Sequence, residues 1–193
     1  MTLTAVLFVG GLSRRMGVDK ATLDIAGKPL WQKQIELLRE LGPQTIWVSA
    51  RARPVWSPAD IYVVVDTPPS RGPLSGLAAA LRRLQTSHLL ALAIDLPRMT
   101  ADELRKLLTM AQPGCGVMPM SGDYFEPLCA IYPAAVATAA VQALAGKDAS
   151  LQHFSRTLVS LNRVRTYLLP ENEKPLFLNV NSPTDLAGFR LPQ

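Results

Sequence analysis

The segment Gly10-Gly11-Leu12-Ser13-Arg14-Arg15-Met16-Gly17-Val18-Asp19-Lys20 concentrates the residue types that hold a polyphosphate. Glycines let backbone N–H groups approach an anion closely, and arginine and lysine neutralise it through charge-assisted hydrogen bonds. The segment follows the apolar run Leu3–Val9 directly. That run is too short to span a membrane and reads as a buried strand. A glycine pair after a strand is by itself an ordinary turn. Two arginines, a third glycine and a lysine in the same loop change its chemistry to that of a triphosphate cradle. Gly10, Gly11, Ser13 and Arg14 are therefore nucleotide-binding candidates, and Arg15 and Lys20 are candidates for stabilising charge during catalysis. The spacing fits neither G-x-x-x-x-G-K-[ST] nor G-x-G-x-x-G.

Carboxylates follow two other apolar runs. Asp95 ends Leu89–Ile94 and precedes Leu96-Pro97. A carboxylate there suits Mg2+, which takes few protein oxygens and fills its shell with water and phosphate. The alternative is a turn residue, although Thr100 already supplies a cap for the next helix. Asp66 ends Tyr62–Val65 and either contacts ribose or base, or starts the turn Asp66–Pro69. Arg71-Gly72-Pro73-Leu74-Ser75-Gly76-Leu77 is a tight loop running into a helix. Its glycines, Gly76 among them, either admit a nucleotide base or the acceptor close to the backbone, or serve only the helix start. Asn179 and Asn181 flank Val180, so an extended segment puts both amides on one face, towards a phosphate, a metal-bound water or a pterin edge. An Asx turn before Ser182 is the competing reading. His88 opens an apolar strand and His153 lies in a helical pattern, and neither has a partner that signals catalysis. No G-x-S-x-G motif is present, which argues against a serine hydrolase.

The elements that must position these residues alternate through the first half. Apolar β-branched runs predict strands over 3–9, 45–49, 61–65 and 88–94, and amphipathic or capped segments predict helices over 29–41, 74–84 and 100–110. That order indicates a mostly parallel sheet with helices on both faces, in which ligands sit beyond the carboxyl ends of the strands. The glycine loop, Asp66 and Asp95 all follow predicted strands and so fall on one rim. In the second half, strands over 116–120 and 125–132 around Ser121-Gly122-Asp123 predict an antiparallel edge. Helices are expected over 134–144 and 150–158, a strand over 161–169, a polar loop over 170–175, and a final helix opened by Ser182-Pro183-Thr184-Asp185. With no internal repeat or low-complexity linker, residues 1–193 read as one domain.

Composition narrows the class. A chain of 193 residues with 48% hydrophobic and 18% charged residues builds one soluble domain with a substantial core. The net charge of +5 fits an anionic ligand, but no block of like charges forms a nucleic-acid arm, and 6% aromatics do not suggest a base-stacking platform. Cys115 and Cys129 are too few and too far apart for a zinc site and read as reduced, small core residues. There is no signal-peptide pattern at the start and no apolar run of transmembrane length, so a cytoplasmic location is expected.

Along nearly its whole length the chain resembles the molybdenum cofactor guanylyltransferases, also called molybdopterin-guanine dinucleotide synthases, of the nucleotidyltransferase superfamily. The matching residues are the loop at 10–20, Gly-Lys-Pro-Leu at 27–30, Gly-Pro-Leu-Ser-Gly at 72–76, Asp-Leu-Pro at 95–97, Glu-Pro-Leu at 126–128 and Asn-Val-Asn-Ser-Pro at 179–183. The resemblance implies an α/β, Rossmann-like three-layer nucleotidyltransferase fold. It also implies GTP with Mg2+ as cofactor, and transfer of GMP to the phosphate of molybdenum-bound molybdopterin. By position, Phe8, Val9 and Gly10 would line the nucleotide through their backbone, and Lys20 would hold phosphate. Ser49 and Asp66 would lie near guanosine, and Asp95 would bind nucleotide and metal. Asn179 and Asn181 would lie near the reacting phosphates or the pterin. Transient contact with other cofactor-biosynthesis proteins or the recipient apoenzyme is expected, with no nucleic acid or membrane partner. The alternatives are cytidylyl transfer to molybdopterin, nucleotidyl transfer to a sugar or alcohol phosphate, and a non-catalytic nucleotide-binding module.

Overall fold

A computed structural model describes residues 1–10, 19–25, 27–66 and 69–180. The strands are β1 (Leu3–Phe8), β2 (Asp24–Ile25), β3 (Lys28–Pro29), β4 (Thr45–Ala50), β5 (Tyr62–Val65), β6 (His88–Ala93), β7 (Gly116–Ser121), β8 (Tyr124–Phe125), β9 (Cys129–Pro133) and β10 (Val164–Leu168). The helices are α1 (Leu30–Arg39), α2 (Pro73–Arg83), α3 (Ala101–Met110), α4 (Ala137–Ala145) and α5 (Leu151–Ser160).

The main sheet runs β10-β7-β9-β6-β1-β4-β5, with β8 paired to β7. β4, β5 and β6 extend the parallel sheet around β1, and β10 is parallel to β7. The antiparallel member lies inside the sheet and not at its edge: β9 is inserted between β6 and β7 and runs against both. The two ends of the sheet, β10 and β5, are parallel to their neighbours. The predicted run 125–132 is also broken. Glu126-Pro127-Leu128 separates β8 from β9, because proline has no N–H to give a ladder.

Alternation along the central strands sorts their side chains into two layers. Ala5 and Leu7 of β1 and Leu90 and Leu92 of β6 pack with Ile35 and Leu38 of α1 and Leu104 and Leu107 of α3. Val6, Phe8, Leu89 and Ala91 face the other way, towards Leu74, Leu77 and Leu81 of α2 and Phe154 and Leu158 of α5. Every residue of β1 and β6 is buried, which is why these strands read as continuous apolar runs. The result is the expected three-layer α/β arrangement.

Two helix starts follow the sequence reading. Thr100 Oγ1 accepts from the Glu103 N–H at 3.3 Å, and Ser150 Oγ accepts from the His153 N–H at 3.2 Å. The β2–β3 hairpin was not anticipated, since two-residue strands carry no readable period. The stretch read as a polar loop ends in a short 3-10 helix over Lys174–Phe177. It is anchored where Lys106 of α3 donates to the Glu173 carboxylate and to Tyr167 Oη of β10. The helix predicted from Ser182 lies outside the described residues.

Candidate active site

The sheet changes winding direction at β1. The chain passes from β1 through α1 to β4 on one side, and β6 pairs on the other. In open α/β sheets the ligand crevice forms beyond the strand ends at such a point. Backbone hydrogen bonds fix the rim. Val9 N–H donates to the Ser49 carbonyl at 3.0 Å, Asp66 N–H to the Ala50 carbonyl at 3.3 Å, and Ile94 N–H to the Phe8 carbonyl at 3.0 Å. The ends of β1, β4, β5 and β6 therefore stand side by side, as their shared position after predicted strands required.

A cleft opens here, walled by Phe8, Gly10, Ser49, Asp66, Ser70 and Gly76, with Arg51, Gly72 and Leu128 also contributing. Gly76 explains its depth. It lies in the first turns of α2, and a Cβ on it would stand 2.6 Å from Ser49 Oγ, 3.1 Å from Asp66 Oδ1 and 3.6 Å from Phe8 Cε1. The missing side chain lets α2 close against the strand ends and brings three predicted site residues around one backbone position. Ser49 is buried, and Asp66 accepts a hydrogen bond from Ser70 Oγ at 3.0 Å. Gly10, which also lines the cleft, is exposed with open space around it.

The second part of the site lies beside the end of β6. Lys20 Nζ is 3.5 Å from Asp95 Oδ2, and their side chains are 19% and 23% exposed. Lys20 is held from its N-terminal side. Asp19 Oδ1 caps the short 3-10 helix Lys20–Thr22 by accepting from the Ala21 N–H at 3.0 Å, and Asp19 Oδ2 accepts from Trp56 Nε1 at 3.0 Å. Trp56 stacks on Trp31 of α1 with ring centroids 5.2 Å apart. On the other side, Val180 N–H donates to the Asp95 carbonyl at 2.9 Å. That bond brings the Asn179-Val180 segment to Asp95, with Val180 buried and Asn179 exposed. Gly11, Ser13, Arg14, Arg15 and Asn181 lie outside the described residues.

Two residues join the site without having been singled out individually. Glu126 stands in the loop between β8 and β9, which the Ala93 N–H to Leu128 carbonyl bond of 2.6 Å ties to the end of β6. Burial lifts its carboxyl to about 7, and the charge of Asp95 pushes the same way. Its position in the Glu-Pro-Leu match was the available signal. Arg51 follows β4 as Asp66 follows β5 and Asp95 follows β6, so the rim rule that found the two aspartates applies to it equally.

Parallel strand ends, a cleft walled by the ends of β1, β4 and β5, and a lysine–aspartate pair beside β6 make up an α/β site of the class a nucleotidyltransferase uses. The comparisons narrow that class. Residues 5–164 match the family model described as the MobA-like NTP transferase domain, and the chain belongs to that family. It is 35% identical over 186 residues to the "Probable molybdenum cofactor guanylyltransferase" of Opitutus terrae, covering 95% of this chain and 92% of that one. It is 33% identical to the molybdenum cofactor guanylyltransferase of Cereibacter sphaeroides, covering 97% and 95% of the two chains. Among solved structures, molybdopterin-guanine dinucleotide biosynthesis protein A from Archaeoglobus fulgidus superposes with a TM-score of 0.74 at 23% identity, covering 96% of both chains. A nucleotidyl transferase from Methanothermobacter thermautotroptrophicus gives 0.78 at 18% identity over 98% and 96%. At these identities the structural likeness speaks for the fold.

Proposed function

We propose that the chain transfers GMP from GTP to the phosphate of molybdenum-bound molybdopterin and releases pyrophosphate. The observation that carries this reading is the meeting of Lys20 and Asp95 beside β6, on the same row of strand ends as the cleft that Gly76 shapes. A module that only bound nucleotide would need the loop, but not a carboxylate beside its lysine. The full-length likeness to proteins named molybdenum cofactor guanylyltransferase supports the choice of base and acceptor.

In the reaction, an oxygen of the acceptor phosphate forms a bond to the α-phosphorus. The bond from that phosphorus to the bridging oxygen breaks, and pyrophosphate leaves with the electron pair. A phosphate nucleophile is already anionic, so positioning and charge neutralisation do most of the work. Ser49, Asp66 and the Gly76 backbone hold the nucleoside. Lys20 and Arg15 neutralise charge at the α-phosphate and on the leaving pyrophosphate. Asn179 and Asn181 bind the acceptor.

The donor set suits Mg2+ used with substrate. Among the described residues no cluster of three or more His, Cys, Asp or Glu forms a ready metal cage. Asp95 offers one partly exposed carboxylate, with Glu126 close enough to feel its charge. Magnesium characteristically binds through one or two carboxylates plus phosphate oxygens and water. Asp95 would hold it, and the bound ion would supply charge neutralisation at the phosphates.

No helix among the described residues is long and apolar enough to cross a membrane. We place the reaction in the cytoplasm, with transient hand-over to cofactor-biosynthesis proteins or the recipient apoenzyme. Calorimetry with GTP, CTP, UTP and ATP in the presence of Mg2+ tests the base assignment. GTP should bind tightest, and equal affinity for all four removes the guanylyl reading.

A further inference from the structure

Arg71 lies in the loop that enters α2, between two residues of the cleft wall, Ser70 and Gly72. Its guanidinium is engaged elsewhere. Nη1 donates to the carbonyls of Leu144 and Gly146, the latter at 2.7 Å, and Nη2 donates to the Lys147 carbonyl at 3.2 Å. These carbonyls cluster at the end of α4, where helix geometry leaves acceptors without an intrahelical partner. A cation there also meets the negative end of the helix dipole.

The backbone of the same residue organises the start of α2. Gly72, the N-cap, has φ of +86° and no side chain with which to cap. Arg71 N–H donates to Ser75 Oγ at 2.8 Å, and Ser75 N–H donates to the Gly72 carbonyl at 3.0 Å. One residue upstream of Arg71, Ser70 Oγ donates to Asp66 Oδ2 at 3.0 Å. A chain of bonds therefore runs from the α4 carbonyls through Arg71 to Ser70 and Asp66 in the cleft.

We propose that Arg71 is a positioning residue for nucleotide binding, clamping the loop that carries Ser70 and Gly72 to the C-terminal carbonyls of α4. The proposal rests on the nucleotide-transfer reading above for its consequence, and on the hydrogen bonds alone for the clamp. Arginine suits the task because its planar guanidinium serves several carbonyls at once, whereas lysine is a compact point charge.

The test compares the wild type with Arg71→Ala and Arg71→Lys, using pyrophosphate release and amide hydrogen exchange. Arg71→Ala should raise the KM for GTP about tenfold and leave kcat within about twofold, because uniform binding is lost and not transition-state contact. Arg71→Lys should fall between. Amide protection at Arg71 and Ser75 should drop in Arg71→Ala while the protection of β1 and β6 is unchanged. Unchanged protection at 71–75 overturns the clamp. A fall in kcat at unchanged KM also overturns it, since the guanidinium would then be touching the reacting phosphates. If the wild type neither binds nor turns over any nucleotide, the functional reading fails, and the exchange comparison still decides the clamp.

Discussion

Lys20 and Asp95 stand 3.5 Å apart although one closes the first loop and the other lies two residues beyond β6. The pairing follows from strand order. β6 lies directly beside β1, so the residue leaving β6 and the segment that returns from the loop after β1 meet over the same rim. The pair is partly exposed and makes a weak stability contribution as an ion pair. In the proposed reaction its value would lie in placing a cation for phosphate next to a carboxylate for metal.

Removing Lys20 or Arg15 should therefore cost activity more than stability. In Lys20→Ala and Arg15→Ala, loss of a charge-assisted phosphate contact, roughly 1.5–3 kcal/mol, corresponds to about a 10- to 150-fold fall in kcat/KM. Circular dichroism and Tm should stay near wild type. Wild-type turnover in both variants contradicts the phosphate role.

Asp95→Asn keeps size and removes charge. Turnover should fall by about two orders of magnitude or more and recover little with excess Mg2+, while weak GTP binding through the loop persists. If Asp95 only shaped the turn before Pro97, asparagine would substitute well. Near-normal turnover in the folded variant excludes the metal role.

Gly76→Ala should damage the cleft from behind. The added methyl lies 2.6 Å from Ser49 Oγ, so a wall must move, at a cost of about 1–3 kcal/mol that outweighs the helix preference of alanine. GTP affinity should fall. Adding Ser49→Ala removes the closest clash and should recover part of the lost Tm. A double variant no more stable than Gly76→Ala alone would show that the clash is with Asp66.

Much of this candidate site is legible in the sequence. β1 and β6 are buried on both faces, so they read as largely apolar runs, and the glycine loop, Asp66 and Asp95 could be placed on one rim because each follows a predicted strand. Which strands are neighbours was not legible, because an apolar strand pairs equally well with several partners. The contact of Lys20 with Asp95 and the interior place of β9 depend on that order. Glu126 is a single charge in a loop and carries no spacing pattern of its own beyond the Glu-Pro-Leu match, whereas Arg51 follows a strand and was within reach of the rim rule. The role of Gly76 was open between ligand approach and helix start until the neighbouring atoms of three strand ends were seen around it.

Glu126 supplies a pH dependence with a definite sign. Its carboxyl titrates at about 7 in the folded protein, above the ordinary value, so the folded state keeps a proton that the unfolded state has lost. Stability should fall as pH rises from about 5 through 7 and then level off. After allowance for solvent screening the effect is about 1–2 kcal/mol. Thermal unfolding from pH 5 to 8 in the presence of a chelator should show this slope in the wild type and lose most of it in Glu126→Gln. Parallel curves for the two proteins contradict the assignment.

Trp56→Phe should keep the stack on Trp31 but delete the N–H that reaches Asp19. Losing one hydrogen bond to a charged group costs roughly 1.5–3 kcal/mol. The cap that sets Lys20 loosens, so kcat/KM should fall while the far side of the sheet keeps its exchange protection. A variant indistinguishable from wild type in rate would show that Asp19 holds Lys20 without help.

Transfer of a guanylyl group is read out by the fate of the α-phosphate. GTP labelled at the α-phosphate is incubated with the protein, Mg2+ and molybdenum-loaded molybdopterin, and the products are separated. The label should move to the molybdopterin product with release of one pyrophosphate per transfer, CTP should substitute poorly, and Asp95→Asn should cut the transfer by about two orders of magnitude or more. Label that remains in GTP while the same acceptor is consumed with CTP, or is not consumed with any nucleotide, contradicts guanylyl transfer.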